Sequence, residues 1–291
     1  MSSPVQSLAA SDAPEANSGK GAADENFPVG SFLIASHLRP HVAAFYAFAR
    51  AADDIADHAE LAADDKIARL DALEAALTGQ QGFGAGYAKA HRLRESLAQC
   101  GVTDAHARAL LSAFRQDATK TRYANWAELH DYCRRSADPV GRFLLDLHGE
   151  DPALYPASDA LCSALQVLNH LQDMGDDLQE IDRCYVALDW LAAAGGSIDD
   201  VRAARLTPAL RTTMRQMLDA TDIWVRQARA LPRGLKDRRL AMESAVIVAL
   251  ARKLSTRLRR GDPLATRVKL SKFDFLAAFM EGVFVGLFAR A

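Results

Sequence analysis

Asn169-His170-Leu171-Gln172-Asp173-Met174-Gly175-Asp176-Asp177 carries three oxygen-bearing side chains, Asn169, Asp173 and Asp177, at intervals of four. On an α-helix each such step turns about 40° beyond a full circle, so the three form one narrow polar stripe. The surrounding pattern predicts a helix over 158–180. Two carboxylates held this close inside a protein are unfavourable unless a cation joins them. Hard oxygen ligands suit Mg²⁺, which takes a few carboxylates and completes its shell with water or phosphate oxygens. One stripe is half of such a site.

The other half lies in residues 41–58, HVAAFYAFARAADDIADH. Here Tyr46, Arg50, either Asp53 or Asp54, and Asp57 recur every three or four residues on one helical face. Asp53 and Asp57 repeat the spacing of Asp173 and Asp177. A single Asp-x-x-x-Asp occurs by chance on solvated helices, whereas two of them in alanine-rich or apolar helices point to one shared site. Mg²⁺ ions held between the stripes would grip a diphosphate, neutralise it and make it a leaving group. Arg50, one turn before Asp53, is placed to meet a phosphate oxygen. Ionisation of an allylic or cyclopropylcarbinyl diphosphate leaves a carbocation. An apolar helical barrel would shield that cation from water, and the faces of Tyr46 or Tyr132 would stabilise it.

The rest of the chain agrees with a helical enzyme. Its 291 residues suffice for a large core, and a net charge of −2 provides no basic field for nucleic acid. The four cysteines form no CxxC pair and the eight histidines no HExxH motif, which points to reduced thiols in a cytoplasmic protein without a zinc centre. Residues 1–24 are small and polar, read as a disordered tail and not as a secretory signal, and residues 25–291 read as one domain. Helices are predicted at 60–77, 88–100, 104–118, 126–148, 187–194, 198–204, 207–230 and 236–260, with a kink at Pro139. Residues 79–87 are glycine-rich, but no strand precedes them, so they read as a connection and not a nucleotide loop. No alternating strand pattern appears. The fold class is all-α.

Arg257, Arg259, Arg260, Arg267, Lys269 and Lys272 precede an apolar segment, Phe273 to Phe288, interrupted by Asp274 and Glu281. It is short for a membrane span. Two readings stand: a terminal helix docked on the domain, or an interfacial helix resting on anionic lipid. The second would make the protein peripheral at the inner membrane.

The run Tyr46 to Asp57, the Arg122-Tyr123 and Tyr132-to-Gly141 segments, and Gln166 with Asn169 to Asp177 together resemble the squalene/phytoene synthases, the head-to-head isoprenyl diphosphate synthases, over roughly residues 25–275. The resemblance implies a single-domain isoprenoid-synthase bundle around a central apolar cavity, several Mg²⁺ ions and a prenyl diphosphate substrate. It assigns metal binding to Asp53, Asp57, Asn169, Asp173 and Asp177, and catalysis to the four aspartates with Tyr132. Arg50, Tyr46 and Asp54 fall near the diphosphate, Ala137, Val140 and Gly141 match the kinked helix that lines the prenyl tunnel together with Tyr132, and Gln166 is assigned to substrate binding. The start Glu25-Asn26-Phe27-Pro28-Val29-Gly30-Ser31 and Gln172, where many condensing members carry a basic residue, are similar to the bacterial hydroxysqualene synthase branch. This places Asn26, Phe27 and Gln172 among the substrate contacts. That branch ionises presqualene diphosphate and captures the cation with water in hopanoid biosynthesis, without a nicotinamide cofactor. The alternatives are condensation of two prenyl diphosphates and, from another class, a non-catalytic assembly factor, against which the intact aspartates argue.

Overall fold

The computed structural model describes residues 33–288. The expectations for the 1–24 tail and for Asn26 and Phe27 lie outside the described residues. The alanine-rich run after Pro40 forms α1 (Arg39–Asp57), with proline in its first turn, where a missing N–H removes no helical bond. Its apolar side, including Phe45, Phe48, Ala52 and Ile55, packs into one core with α2 (Ala63–Leu77), α3 (Ala88–Cys100) and α4 (Ala105–Asp117). Phe45 also stacks on Phe143 at 4.0 Å between ring centroids.

The helix expected over 126–148 is two helices, α5 (Trp126–Ser136) and α6 (Asp138–Leu147). They separate at Ala137, whose backbone leaves the helical region at φ −124° and ψ −49°. Pro139 explains the break, because it donates no hydrogen bond and its ring clashes with the preceding turn. Asn125 caps α5 by accepting from the Glu128 N–H.

The 158–180 helix is also divided, into α7 (Tyr155–Gln172) and α8 (Met174–Ile181), at Asp173 with φ −106° and ψ 13°. The stripe nevertheless survives. The Asp173 N–H donates to the Asn169 carbonyl at 2.9 Å and the Asp177 N–H to that of Asp173 at 2.8 Å, so the four-residue ladder continues through the break.

The sequence shows no strand, yet β1 (Arg122–Tyr123) pairs in parallel with β2 (Cys184–Ala187). β1 is too short to show a period, and β2 is buried on both faces, which removes the alternation that marks a half-buried strand. After β2 come α9 (Leu188–Ala193), α10 (Pro208–Ala228), the single turn α11 (Leu231–Gly234), α12 (Arg238–Arg260) and α13 (Lys272–Phe288). A second core joins α5, α7, α8, β2, α10 and α12 through residues such as Leu168, Leu171, Met217 and Leu254. All four cysteines are free thiols. Among the described residues, no helix is long and apolar enough to cross a membrane.

The α6–α7 contact contains a titratable seam. Asp138 is buried, and the Ser163 hydroxyl donates to it at 2.7 Å. Burial pushes its carboxyl up to about 7. A carboxyl raised above its unfolded value binds its proton more tightly when folded, so it destabilises progressively as pH climbs from about 4 to about 7. Asp138→Asn keeps the acceptor without the charge. Urea unfolding should find it equal in stability to the parent at pH 4 and about 1–3 kcal/mol more stable at pH 8. Equal curves at both pH values would show that Asp138 does not titrate in this way.

Candidate active site

An apolar cavity of about 360 Å³ runs through the bundle, walled by α1, α6, α7 and α12. Phe45, Phe114 and Phe143 give it aromatic faces, and Leu161, Leu240 and Ile247 close its sides. Gly141 lets α6 approach α7, because a Cβ there would collide with the Ser158 hydroxyl and stand 2.7 Å from the Cys162 sulfur. At one end the lining turns polar, with Tyr46, Arg50 and Asp53 from successive turns of α1. Val140 and Gly141, assigned to the tunnel by resemblance, line it; Ala137 is buried at the helix break and is not part of the lining.

Arg50 holds the polar end together, with Nη1 3.0 Å from Asp53 and Nη2 2.8 Å from the buried Asp54. The Asp53 side chain keeps 34 % of its surface open, toward the cavity, while protein encloses the rest. Burial, and next the charge of Asp57 one turn along, push its carboxyl up to about 7. Asp57, one turn along the same face, receives a 2.5 Å bond from the Arg183 guanidinium.

Arg183 is the residue through which the two aspartate motifs meet. It is 5 % exposed, and besides Asp57 it donates to the carbonyls of Ala56 at 3.0 Å and Asp117 at 3.1 Å. It stands at the head of β2, where Tyr185 stacks on His170 of α7 at 3.5 Å. His170 lies 3.7 Å from Asp177. Tyr132 lies beneath this link. Its ring is 5.6 Å from Tyr185, and its hydroxyl donates to Asp117 at 2.7 Å. Burial pushes Asp117 up to about 7 in spite of Arg183, and burial also raises Tyr132 far above an ordinary phenol. Tyr132 therefore packs between the motifs and is absent from the cavity lining.

The second motif is engaged by the segment between α12 and α13. Arg267 Nε is 3.2 Å from Asp173, whose carboxyl is raised by burial and eased by that arginine. Gln172, expected beside the substrate, is 2 % exposed and donates to the Val268 carbonyl at 2.5 Å. Its side chain faces this connecting segment instead of the cavity, because it follows the buried side of α7 as the helix ends. Gln166 contacts His170 at 3.1 Å, one turn along α7.

Among the described residues, no three histidine, cysteine, aspartate or glutamate side chains converge as a metal-binding group. The donors come instead as two pairs, Asp53 with Asp57 and Asp173 with Asp177, with Asn169 one turn before Asp173. Each of the four carboxylates faces a basic side chain: Arg50, Arg183, Arg267 or His170. Paired carboxylates that burial and mutual repulsion disfavour fit a hard divalent cation that takes few protein ligands and fills its shell with phosphate and water.

The model of the squalene/phytoene synthase family matches residues 21–274. The chain belongs to this family. Among squalene/phytoene synthases it is 46 % identical over 253 residues to the hydroxysqualene synthase of Sinorhizobium fredii, covering 87 % of this chain and 86 % of the relative. It is 45 % identical to the hydroxysqualene synthase of Rhodopseudomonas palustris, covering 91 % and 90 %. The crystal structure of squalene synthase HpnC from Alicyclobacillus acidocaldarius superposes with a TM-score of 0.72 at 34 % identity, over 82 % of this chain and 90 % of that one. The family fold is thus the all-α class read from the helical patterning and the bundle that the resemblance implies. Spacing did not indicate Asp117, Arg183, Tyr185 or Arg267. The available signal for Arg183 was its position, a lone arginine between an acidic helix and the apolar run Cys184 to Ala187.

Proposed function

We propose that this squalene/phytoene synthase is a hydroxysqualene synthase: it ionises presqualene diphosphate and lets water capture the rearranged carbocation, releasing diphosphate. The observation that carries this reading is an apolar cavity of about 360 Å³ whose lining includes Arg50 and Asp53. Such a cavity suits a hydrocarbon chain with an anionic head. The likeness to relatives named hydroxysqualene synthases supports the choice of branch.

Asp53, Asp57, Asn169, Asp173 and Asp177 are the residues that would hold Mg²⁺. When bound, the metal would neutralise the diphosphate and improve it as a leaving group. The chain itself does the rest. Arg50 offers a fixed guanidinium to the diphosphate end. Phe45 and Phe143, stacked on each other in the lining, would set aromatic rings beside positive charge in the hydrocarbon portion, and the mostly apolar wall would disfavour water there. Tyr132, Asp117 and Arg183 keep the two aspartate helices in register. Gln172 would act on the fate of the cation indirectly, through the segment it holds at Val268.

The test is product analysis of the purified protein with Mg²⁺ and presqualene diphosphate, with and without reduced nicotinamide. Hydroxysqualene in both reactions is the expected result. Turnover of farnesyl diphosphate alone, with presqualene diphosphate untouched, would replace this reading with a condensing synthase.

A further inference from the structure

The last helix has two faces, and the bundle uses one. α13 docks on α12 through Ala278, which is fully buried, and Gly282, where a Cβ would lie 2.5 Å from a Val246 methyl and 2.8 Å from the Met242 carbonyl. Ion pairs fasten the two helices, Arg252 to Glu281 at 2.8 Å and Arg257 to Asp274 at 2.5 Å. On the opposite side Phe273, Leu276, Met280 and Phe284 are 82, 59, 61 and 63 % exposed. Their intervals of three and four residues place them in one line, about 180° from Ala278 and Gly282. Phe275 and Phe279 flank the line and are also exposed. A contiguous row of large apolar side chains in water marks a contact surface.

Charge identifies the occupant. Arg260, Lys269 and Lys272 lie at the end of α12, in the connecting segment and at the start of α13; all three are exposed, and none forms an ion pair among the described residues. Beside them a basic recess of about 900 Å³ is lined by Arg252, Lys253, Arg257, Arg260, Arg267 and Lys269. A second copy of the chain would bring the same excess of positive charge to the contact. A bilayer of acidic lipid supplies both the apolar phase and the opposite charge. We propose that α13 lies in the plane of an anionic membrane surface, with the Phe273–Phe284 row among the acyl chains and the α12–α13 connection at the headgroups.

Full-length protein would be sedimented with vesicles of phosphatidylcholine alone and of phosphatidylcholine with phosphatidylglycerol. The wild type is expected to bind the acidic vesicles and to be released by salt. An R260Q/K269Q/K272Q variant should partition less by roughly fivefold per charge removed. An F273S/L276S/M280S/F284S variant should lose at least about tenfold. Both change exposed side chains, so an unaltered melting temperature and retained turnover of detergent-dispersed presqualene diphosphate would show that the fold is intact. Absence of binding to acidic vesicles, or binding that neither variant reduces, would overturn the proposal. So would a dimer in sedimentation velocity that the apolar variant dissolves while vesicles recruit nothing. Vesicle binding is read without catalysis, so failure of the assigned reaction would leave this result standing.

Discussion

Asp53→Asn is expected to lower kcat for presqualene diphosphate by about a thousandfold while leaving the protein folded. Among the described residues, Asp53 is the one motif aspartate that lines the cavity. It is therefore the motif carboxylate nearest the space a substrate would occupy, with Glu243 of α12 the other carboxylate in the lining. Asparagine keeps the volume and an acceptor oxygen, and Arg50 retains its 2.8 Å contact with Asp54, so the local architecture has little reason to rearrange. What disappears is the negative charge that a divalent cation requires. The fold should not suffer. Because burial and Asp57 hold the Asp53 carboxyl at about 7, above its unfolded value, its ionisation weakens the ion-free protein increasingly between about pH 4 and pH 7. Without ligand, the variant should match the parent at pH 4 and melt higher at pH 8. Millimolar Mg²⁺ with diphosphate should raise the melting temperature of the parent and do much less for the variant. Turnover that persists in the variant after chelator treatment would contradict the metal-dependent scheme.

Arg183→Met should destabilise the protein by about 3–5 kcal/mol, the larger stability effect of the two. Methionine can fill part of the space but cannot replace three hydrogen bonds. Its introduction would leave Asp57 facing the raised Asp117 carboxyl without the intervening cation and the Asp117 carbonyl without its Arg183 donor, while Ala56 would keep the Lys66 ammonium at 2.9 Å. Removing the buried member of this ion pair is costly because Asp57, with 31 % of its side chain exposed, has lost much of its water. Turnover should fall as well, since the same guanidinium ties α1 to the strand that supports His170 and Asp177. Arg183→Lys should recover charge but only part of the bonding, and so fall between the two. Urea unfolding at neutral pH measures the difference; a loss below about 1 kcal/mol would mean that solvent or a neighbour such as Lys66 compensates.

The sequence readily shows what is local. The spacing of Tyr46, Arg50, Asp53 and Asp57 reflects one helix, and the structure places the first three on the cavity wall. The helix over 41–58 corresponds to Arg39–Asp57 because alanine and regular apolar spacing agree there. The breaks at Ala137 and Asp173 are harder to place. Pro139 signals the first, but nothing beside Asp173 does, since Met174-Gly175 continues an acceptable helical pattern. Long-range partners leave no periodic trace. Arg183 bonds to a residue 126 positions earlier, and Gln172 bonds to one 96 positions later. Gln172 reads as a variation within a substrate motif, yet its side chain follows the buried face of α7. Which face a glutamine takes at a helix end depends on the loop that arrives there, which the motif itself does not contain.

α12 has little solvent-facing surface along its middle. Leu240, Glu243, Ser244 and Ile247 look into the cavity, while Met242, Val246, Ala249 and Leu250 meet α13 and its surroundings. The partition between the reaction space and the outermost helix is thus one helix thick. A methyl group added at Gly282 would press on Val246, one position from Ile247 in the cavity wall. Pressure applied to the outside of the protein at α13 has a short mechanical route to the width of the hydrocarbon chamber.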